Sequence, residues 1–354
     1  MPSDPPPRMR DVARAVGVSQ ATVSNAFNRP DQLSRELRDR ILAAARDLGY
    51  PGPDPIANTF RRGRTGAVGL IIHEPLQYLF EDPAARLTMA GVARVCGEHG
   101  SSLVLVPRAE PGLPDVVPTA LVDGFVAFCD PLEPERRKLL RARRLPVVGL
   151  DAPVTPGEPY VGIDDRAAAR AAAAHLVDLG HRRIGVISFA LARDSKTTVV
   201  SAGLDAPTGY VANRARLDGY RDALGPALAD GGGGIVVVAA RGVEEADGAA
   251  AAVPLLEHAE PPTAILAMSD RLALGVIAEA TRRGIDVPGD LSVVGFDDVP
   301  AAVAASPALT TVRQPHARKG AEAVRMLLRP APTRTALILP TEIVVRASTA
   351  PPKT

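Results

Sequence analysis

From residue 65 onward, short apolar runs recur between longer amphipathic stretches. The runs are AVGLII (67–72), SLVLV (102–106), DGFVAF (123–128), PVVGL (146–150), RIGVIS (183–188), IVVV (235–238), AILAM (264–268) and LSVVGF (291–296). Between most of them lie helical segments such as AARLTMAGVARVCGEHG, RAAARAAAAHLVDLGH and RLALGVIAEATRRG. Runs apolar on both faces, alternating with amphipathic helices, predict βαβ units and parallel sheets, either one large sheet or two smaller ones. PYVGIDD (159–165) joins the fourth run to a new helix and reads as a crossing between two lobes. Residues 190–211 and GPALADGGGG (225–234) read as loops, and the end of the chain after Arg346, ASTAPPKT, as a flexible tail.

The first fifty residues follow a different period. Val12, Ala13 and Val16 share a helical face that Gly17 ends. Ser19 stands where an N-cap belongs, and Gln20 to Phe27 form a second helix with Val23, Ala26 and Phe27 inward. Ser34 caps a third helix that runs through Ile41 and Leu42 to Leu48 and stops at Gly49. Two short helices around a tight glycine turn, followed by a third, is a helix-turn-helix pattern. The outer face of the second helix carries Gln20, Ala21, Thr22, Ser24 and Asn25. A merely solvated face carries Lys, Glu and Arg; short amides and hydroxyls suit base edges and phosphate oxygens.

Charge adds to this division. The whole chain of 354 residues has a net charge of only +1. Residues 1–64 hold 11 Arg against 7 Asp and Glu, a balance of +4, so the remainder balances at −3. A basic front end on a mildly acidic body predicts a polyanionic partner for the front alone. Cys96 and Cys129 read as buried small hydrophobes. MPSDPPPRMR has no apolar core of a signal peptide and no uncharged apolar run reaches about 18 residues, so a cytoplasmic location is expected.

In an open α/β sheet, ligands bind beyond the carboxyl ends of the strands. The polar residues just after the apolar runs are therefore candidates: Asp151, Ser269 with Asp270, and Asp297 with Asp298, beside Phe189 and Arg216, the latter at the start of a helix. Carboxylates that accept from neighbouring hydroxyls, with the planar donor fork of arginine, suit a sugar or other polyol. Asp270 and Asp298 read instead as caps, and Asp164 and Asp165 as the start of the 165–179 helix. Aromatic residues are only 3% and Trp is absent, which leaves Tyr78, Phe80, Phe189 and Phe296 as stacking candidates and keeps a nucleoside or a carboxylate metabolite open as effector. There is no P-loop, G-x-S-x-G, H-E-x-x-H or Cys/His cluster, so neither an enzyme nor a cofactor or metal is expected.

The segment RDVARAVGVSQATVSNAFNRPDQLSRELRDRILAAARDLGY resembles the DNA-binding headpiece of the lactose/galactose repressor family. TAILAMSDRLALGVIAEATRRGIDVPGDLSVVGFDDVP and LTTVRQP resemble the effector domain of the same family, in the same order, over about residues 9–346. The resemblance implies a small all-α helix-turn-helix domain followed by an α/β effector domain of two doubly wound parallel-sheet lobes, of the periplasmic-binding-protein-like type I. Its implied organisation is a disordered N-terminus (1–8), headpiece (9–50), linker with hinge helix (51–64) and effector domain (65–346). Lobe 1 takes about 65–163 and 315–342, lobe 2 about 164–312 plus the final strand, and a flexible tail covers 347–354.

The resemblance further implies a homodimeric transcriptional regulator, read here as a repressor, on a pseudo-palindromic operator, with a small-molecule effector, most simply sugar-like, between the lobes. Action as an activator is the alternative, and a solute-binding protein a remote one. Base-reading positions fall on Gln20, Ala21 and Asn25; Thr22, Ser24 and Asn28 face phosphates. Asn25 stands where many members carry Arg, which shifts the expected base from guanine to adenine. In the linker, Asp54 and Pro55 form a cap and first-turn pair for a helix of barely two turns. Phe60 matches the hinge wedge of the minor groove, Asn58 replaces the usual Arg, and Arg61, Arg62 and Arg64 are phosphate partners. Effector positions fall on Asp151, Arg216, Ser269, Asp297 and Gln314, with Phe189 beside them. No Leu heptad follows residue 346, so a tetramer built through such a tail is not expected.

Overall fold

The computed structural model describes residues 7–53, 63–109, 112–128, 133–191, 196–201, 203–229, 233–329 and 336–353. The chain divides into two compact units, Met1–Thr65 and Gly66–Thr354.

In the first unit, α1 (Met9–Val16) ends where Gly17 turns left-handed at φ 77°, a conformation that costs glycine nothing. The chain then enters α2 (Gln20–Asn28), whose cap Ser19 accepts from the Thr22 N–H at 3.0 Å. Ser34 caps α3 (Arg35–Asp47) in the same way, accepting from Leu37 N–H at 3.3 Å. Val12, Val23 and Ile41, one from each helix, are fully buried, and Ala13, Ala26 and Ala45 fill between them. Phe27 closes one side against Tyr50, edge to face at 5.9 Å. The apolar spacing that predicts these helices is the spacing that packs them.

The second unit holds two sheets. Its strands are β1 (Ala67–Ile72), β2 (Ser102–Val106), β3 (Gly124–Phe128), β4 (Val147–Leu150), β5 (Tyr160–Ile163) and β6 (Arg183–Ser188). They continue with β7 (Thr198–Val199), β8 (Gly234–Ala239), β9 (Ala264–Ala267), β10 (Ser292–Asp297), β11 (Thr310–Arg313), β12 (Ala336–Leu339) and β13 (Glu342–Val344). The first sheet has the order β12-β5-β4-β3-β1-β2 and is parallel throughout. The second has the order β13-β11-β10-β9-β6-β8-β7, with only the edge strands β13 and β7 antiparallel. Helices cover both: α4 (Tyr78–Glu81), α5 (Pro83–Glu98), α6 (Pro134–Arg143), α7 (Asp165–Asp178), α8 (Val211–Ala227), α9 (Glu245–Leu256), α10 (Asp270–Arg282), α11 (Pro300–Ala304) and α12 (His316–Leu328).

The two sheets make two lobes, and the chain passes between them after β5, after β11 and after β12. PYVGIDD is thus both a strand and a crossing. In lobe 1, α5 and α12 touch backbone to backbone: a Cβ on Gly91 would lie 1.9 Å from the Ala317 carbonyl oxygen, and one on Gly320 2.2 Å from that of Thr88. No described helix is long and apolar enough to cross a membrane. Cys96 is buried and free, and Cys129 lies outside the described residues.

The tail corrects the sequence reading. ASTAPPKT has the composition of a solvated end, yet Ser348 is fully buried in lobe 2. Its hydroxyl donates to Val293 O at 2.6 Å and accepts from Thr310 N–H at 2.8 Å, while Ala350 N–H donates to Ser292 Oγ. Removing that hydroxyl orphans two buried backbone groups. Ser348→Ala is therefore expected to destabilise the domain by about 1–3 kcal/mol, read as a lower urea midpoint at unchanged slope.

Candidate operator face and effector cleft

On α2, Gln20 and Ala21 are exposed and Asn25 is half-buried. The Asn25 amide is held at a defined angle, Nδ2 donating to Gln32 Oε1 at 3.2 Å from the short 3-10 turn Pro30–Gln32. Gln32 is a residue that the helix pattern alone does not single out. Thr22 is half-buried and its hydroxyl shares a 2.8 Å hydrogen bond with Ser19. Asn28 donates to the Ser24 carbonyl at 3.0 Å and its hydroxyl at 3.3 Å. Ser24 itself is only 2% exposed. Its assignment to a phosphate is corrected: as folded, the hydroxyl serves the headpiece interior. Arg64 is exposed, whereas Asn58, Phe60, Arg61 and Arg62 lie outside the described residues.

In the second unit, a cleft of about 510 Å³ lies between the lobes, within the range of small-molecule sites. Asp151, Phe189, Arg216, Ser269, Asp297 and Gln314 all line it. They arrive from five strand ends or crossings and one helix. Asp151 follows β4 and Asp297 ends β10, and both sit at positive φ, 73° and 128°. Non-glycine residues hold such angles only where their surroundings impose them, and these cluster at functional sites. Ser269 caps α10, accepting from Leu272 N–H at 3.2 Å, which leaves its proton for another acceptor.

Arg216 is the anchor of lobe 2. Its Nε donates to Asp165 at 2.8 Å and Nη1 to the Met268 carbonyl at 2.5 Å, and the guanidinium stacks 3.7 Å from the centre of the Phe296 ring. Nη2 makes no hydrogen bond among the described residues. Burial pushes the Asp165 carboxyl up, with Arg216 opposing it. Asp297 accepts from Gln314 Nε2 at 2.7 Å, and burial holds its carboxyl well above the ordinary range. Asp270 is fully buried, bonded to Thr311 and to the Val299 N–H, and raised to about 6 by burial; it braces the sheet and does not line the cleft. Asp298 is likewise committed to Arg313 and Arg346, and Asp164 caps α7.

Lys319 and His316 were not singled out by the sequence, although both face the cleft from the first turn of α12. Lys319 is 3% exposed and donates to Asp151 at 2.5 Å and Gln314 Oε1 at 2.9 Å. The available signal was a lysine on the inward stripe His316, Lys319, Gly320, Ala323 of an otherwise small-residue helix face. His316 is 5% exposed and neither ring nitrogen makes a hydrogen bond, with Nε2 3.6 Å from the Asp297 carboxylate; burial lowers its pKa to about 3. The Asn213 Oδ1 on α8 is also buried and unpartnered. Of the stacking candidates, Tyr78 and Phe189 line the cleft. Phe296 lies fully buried behind Arg216, and Phe80 points to solvent at 68% exposure, a correction in both cases.

A helix-turn-helix headpiece joined to a two-lobed ligand-binding domain is the build of a transcriptional regulator with separate DNA and effector modules. Comparison with known proteins agrees. Residues 8–52 match the model of bacterial regulatory proteins of the lacI family, and residues 173–349 that of the periplasmic binding protein-like domain. An HTH-type transcriptional regulator of Mycobacterium tuberculosis is 42% identical, covering 98% of this chain and 99% of its own. The HTH-type transcriptional repressor CytR of Escherichia coli is 32% identical over 90% of this chain and 88% of its own. Among solved structures, a LacI-family regulator from Corynebacterium glutamicum superposes with TM-score 0.70 at 32% identity, covering 97% and 98% of the two chains. The regulator CelR in complex with cellobiose gives TM-score 0.67 at 28% identity over 97% and 99%. This chain belongs to the lacI family of transcriptional regulators and is not an enzyme.

Proposed function

We propose that this regulator binds a pseudo-palindromic operator as a homodimer and acts as a repressor, controlled by a neutral, polyhydroxylated effector held in the cleft. The observation that carries the effector reading is the set of buried, unpartnered polar atoms there, both ring nitrogens of His316 and Asn213 Oδ1. Each unsatisfied buried group costs about 1–3 kcal/mol, which a ligand with hydroxyls at the right places recovers. Electrostatics favours a neutral ligand over a carboxylate. Each cation lining the cleft lies within 4.0 Å of a carboxylate: Arg108 with Glu133, Arg216 with Asp165, Arg241 with Asp247, Lys319 with Asp151. The cellobiose ligand of CelR is a neutral polyol of this kind.

The lobes also touch across the cleft mouth, where Arg271 of α10 lies 3.6 Å from Asp82, the cap of α5. A ligand that bonds Asp151 on one lobe and Arg216 on the other biases the lobe angle, and with it operator affinity. By linkage, operator DNA changes effector affinity by the same factor. The test is a melting-temperature screen of the full chain against hexoses, pentoses, sugar alcohols, nucleosides and small carboxylates, followed by operator titration with and without the hit. A neutral polyol that raises the melting temperature and shifts operator affinity is expected. Response to carboxylates alone, or equal operator affinity in both conditions, overturns the reading.

A further inference from the structure

A second cavity, about 480 Å³, lies in lobe 1 at the amino end of β4, where Val147 lines it. Asp151 and the cleft lie beyond the carboxyl end of the same strand, so the two sites are separate. The floor is apolar, including Leu140 and Leu327, and its rim carries Arg137, Arg141, Arg144 and Arg329. The first three recur at i, i+4 and i+7 along α6 and just past its end, and Arg329 comes from the end of α12. This is the reverse of the cleft. None of the four guanidiniums has a carboxylate partner among the described residues, and only Arg141 makes a side-chain bond, to Thr155 Oγ1 at 3.2 Å.

Like charges at i, i+4 destabilise a helix, so the stripe is not explained by helix propensity. Its neighbours do turn elsewhere: Arg136 is buried against Asp115 and Arg143 bonds the carbonyls of Val117 and Pro118. Two helix C-termini face this cavity, and each contributes about half a negative charge. The Glu158 carboxylate adds one more, with an oxygen that is buried and has no hydrogen-bond partner. Four guanidiniums against these leave a local charge of about +2. That matches a phosphate monoester, which carries about −1.5 to −2 at neutral pH. The orphaned Glu158 oxygen calls for a donor, such as a hydroxyl, on the rest of the ligand.

We propose that this cavity is a second small-molecule site, specific for a phosphorylated, hydroxyl-bearing metabolite, with the arginines on the phosphate and Glu158 on a hydroxyl. The test is calorimetric titration of the full chain at constant ionic strength with glucose 6-phosphate, inorganic phosphate and glucose. Glucose 6-phosphate is expected to bind more tightly than phosphate. The double variant Arg141→Gln/Arg329→Gln should weaken both at least tenfold while its melting temperature stays at the wild-type value, because both side chains are exposed. Gln314→Ala, in the cleft, should leave this binding unchanged. No binding of either phosphate compound, equal binding by the double variant, or loss of binding in Gln314→Ala overturns the proposal. So does a double variant that binds phosphate normally but loses operator affinity, which would assign the arginines to DNA.

Discussion

Arg216→Met is expected to cost the effector domain about 3–5 kcal/mol, the usual penalty for breaking a buried ion pair from one side, and to abolish effector binding. Methionine keeps the aliphatic stem but lacks the guanidinium that stacks on Phe296, so the loss combines the charge, its hydrogen bonds and that stacking. What remains is Asp165, 7% exposed and without its 2.8 Å partner, and the Met268 carbonyl without its donor. The sign of the pH dependence follows. Burial already raises the Asp165 carboxyl, and removing Arg216 raises it further. A carboxyl raised in the folded state contributes stability that is complete below its unfolded value, near 3.9, and lost as pH rises through the folded value. The gap between variant and wild type should therefore narrow as pH falls from 8 towards 5. Adding Asp165→Asn should restore most of the stability at neutral pH but none of the binding. A single variant that costs less than about 1 kcal/mol at pH 8, or a double variant that recovers effector binding, contradicts this role for Arg216.

That prediction rests on a site whose residues were partly visible beforehand, and the reason is geometric. Parallel strands deliver their last residues to one end of a sheet. Asp151 and Asp297 could thus be picked from their places after apolar runs, and β1, β2 and β6 match their runs residue for residue. The family resemblance supplied Gln314. Lys319 and His316 needed one fact the pattern does not hold, namely which end of α12 faces the cleft. β11 does not stand out as an apolar run because TTVR is polar in composition, yet Thr310 and Thr311 are fully buried, with their hydroxyls bonded inside the fold. The tail misled for the same reason: composition does not show that Ser348 has Val293 and Thr310 as partners. The arginine cavity depends on α6 and α12 ending side by side, a tertiary fact absent from either segment.

Asn25→Ala is expected to weaken operator binding by about 1–3 kcal/mol per half-site. On a two-fold operator both half-sites lose the contact, so the fall is roughly 30-fold or more, since about 1.4 kcal/mol is a factor of ten. The direction of the specificity change matters more than its size. An asparagine amide offers one donor and one acceptor on one plane, the complement of adenine N7 and N6; arginine offers two donors, the complement of guanine N7 and O6. In the free headpiece Asn25 Nδ2 is already turned toward Gln32 Oε1. That bond fixes the plane of the amide, so the entropy of orienting it is spent before DNA arrives, although Nδ2 must trade this partner for the base. Gln32→Ala should consequently weaken binding less than Asn25→Ala and leave base preference intact. If the exposed Arg64 meets a phosphate as proposed, Arg64→Ala should instead weaken binding to all sequences and lower the salt slope by about one. Site selection with wild type should return a required adenine at one position of each half-site, and Asn25→Arg should convert it to guanine. The same base selected by both proteins would show that Asn25 does not read it, and that the sequence choice of α2 lies with Gln20 and Ala21.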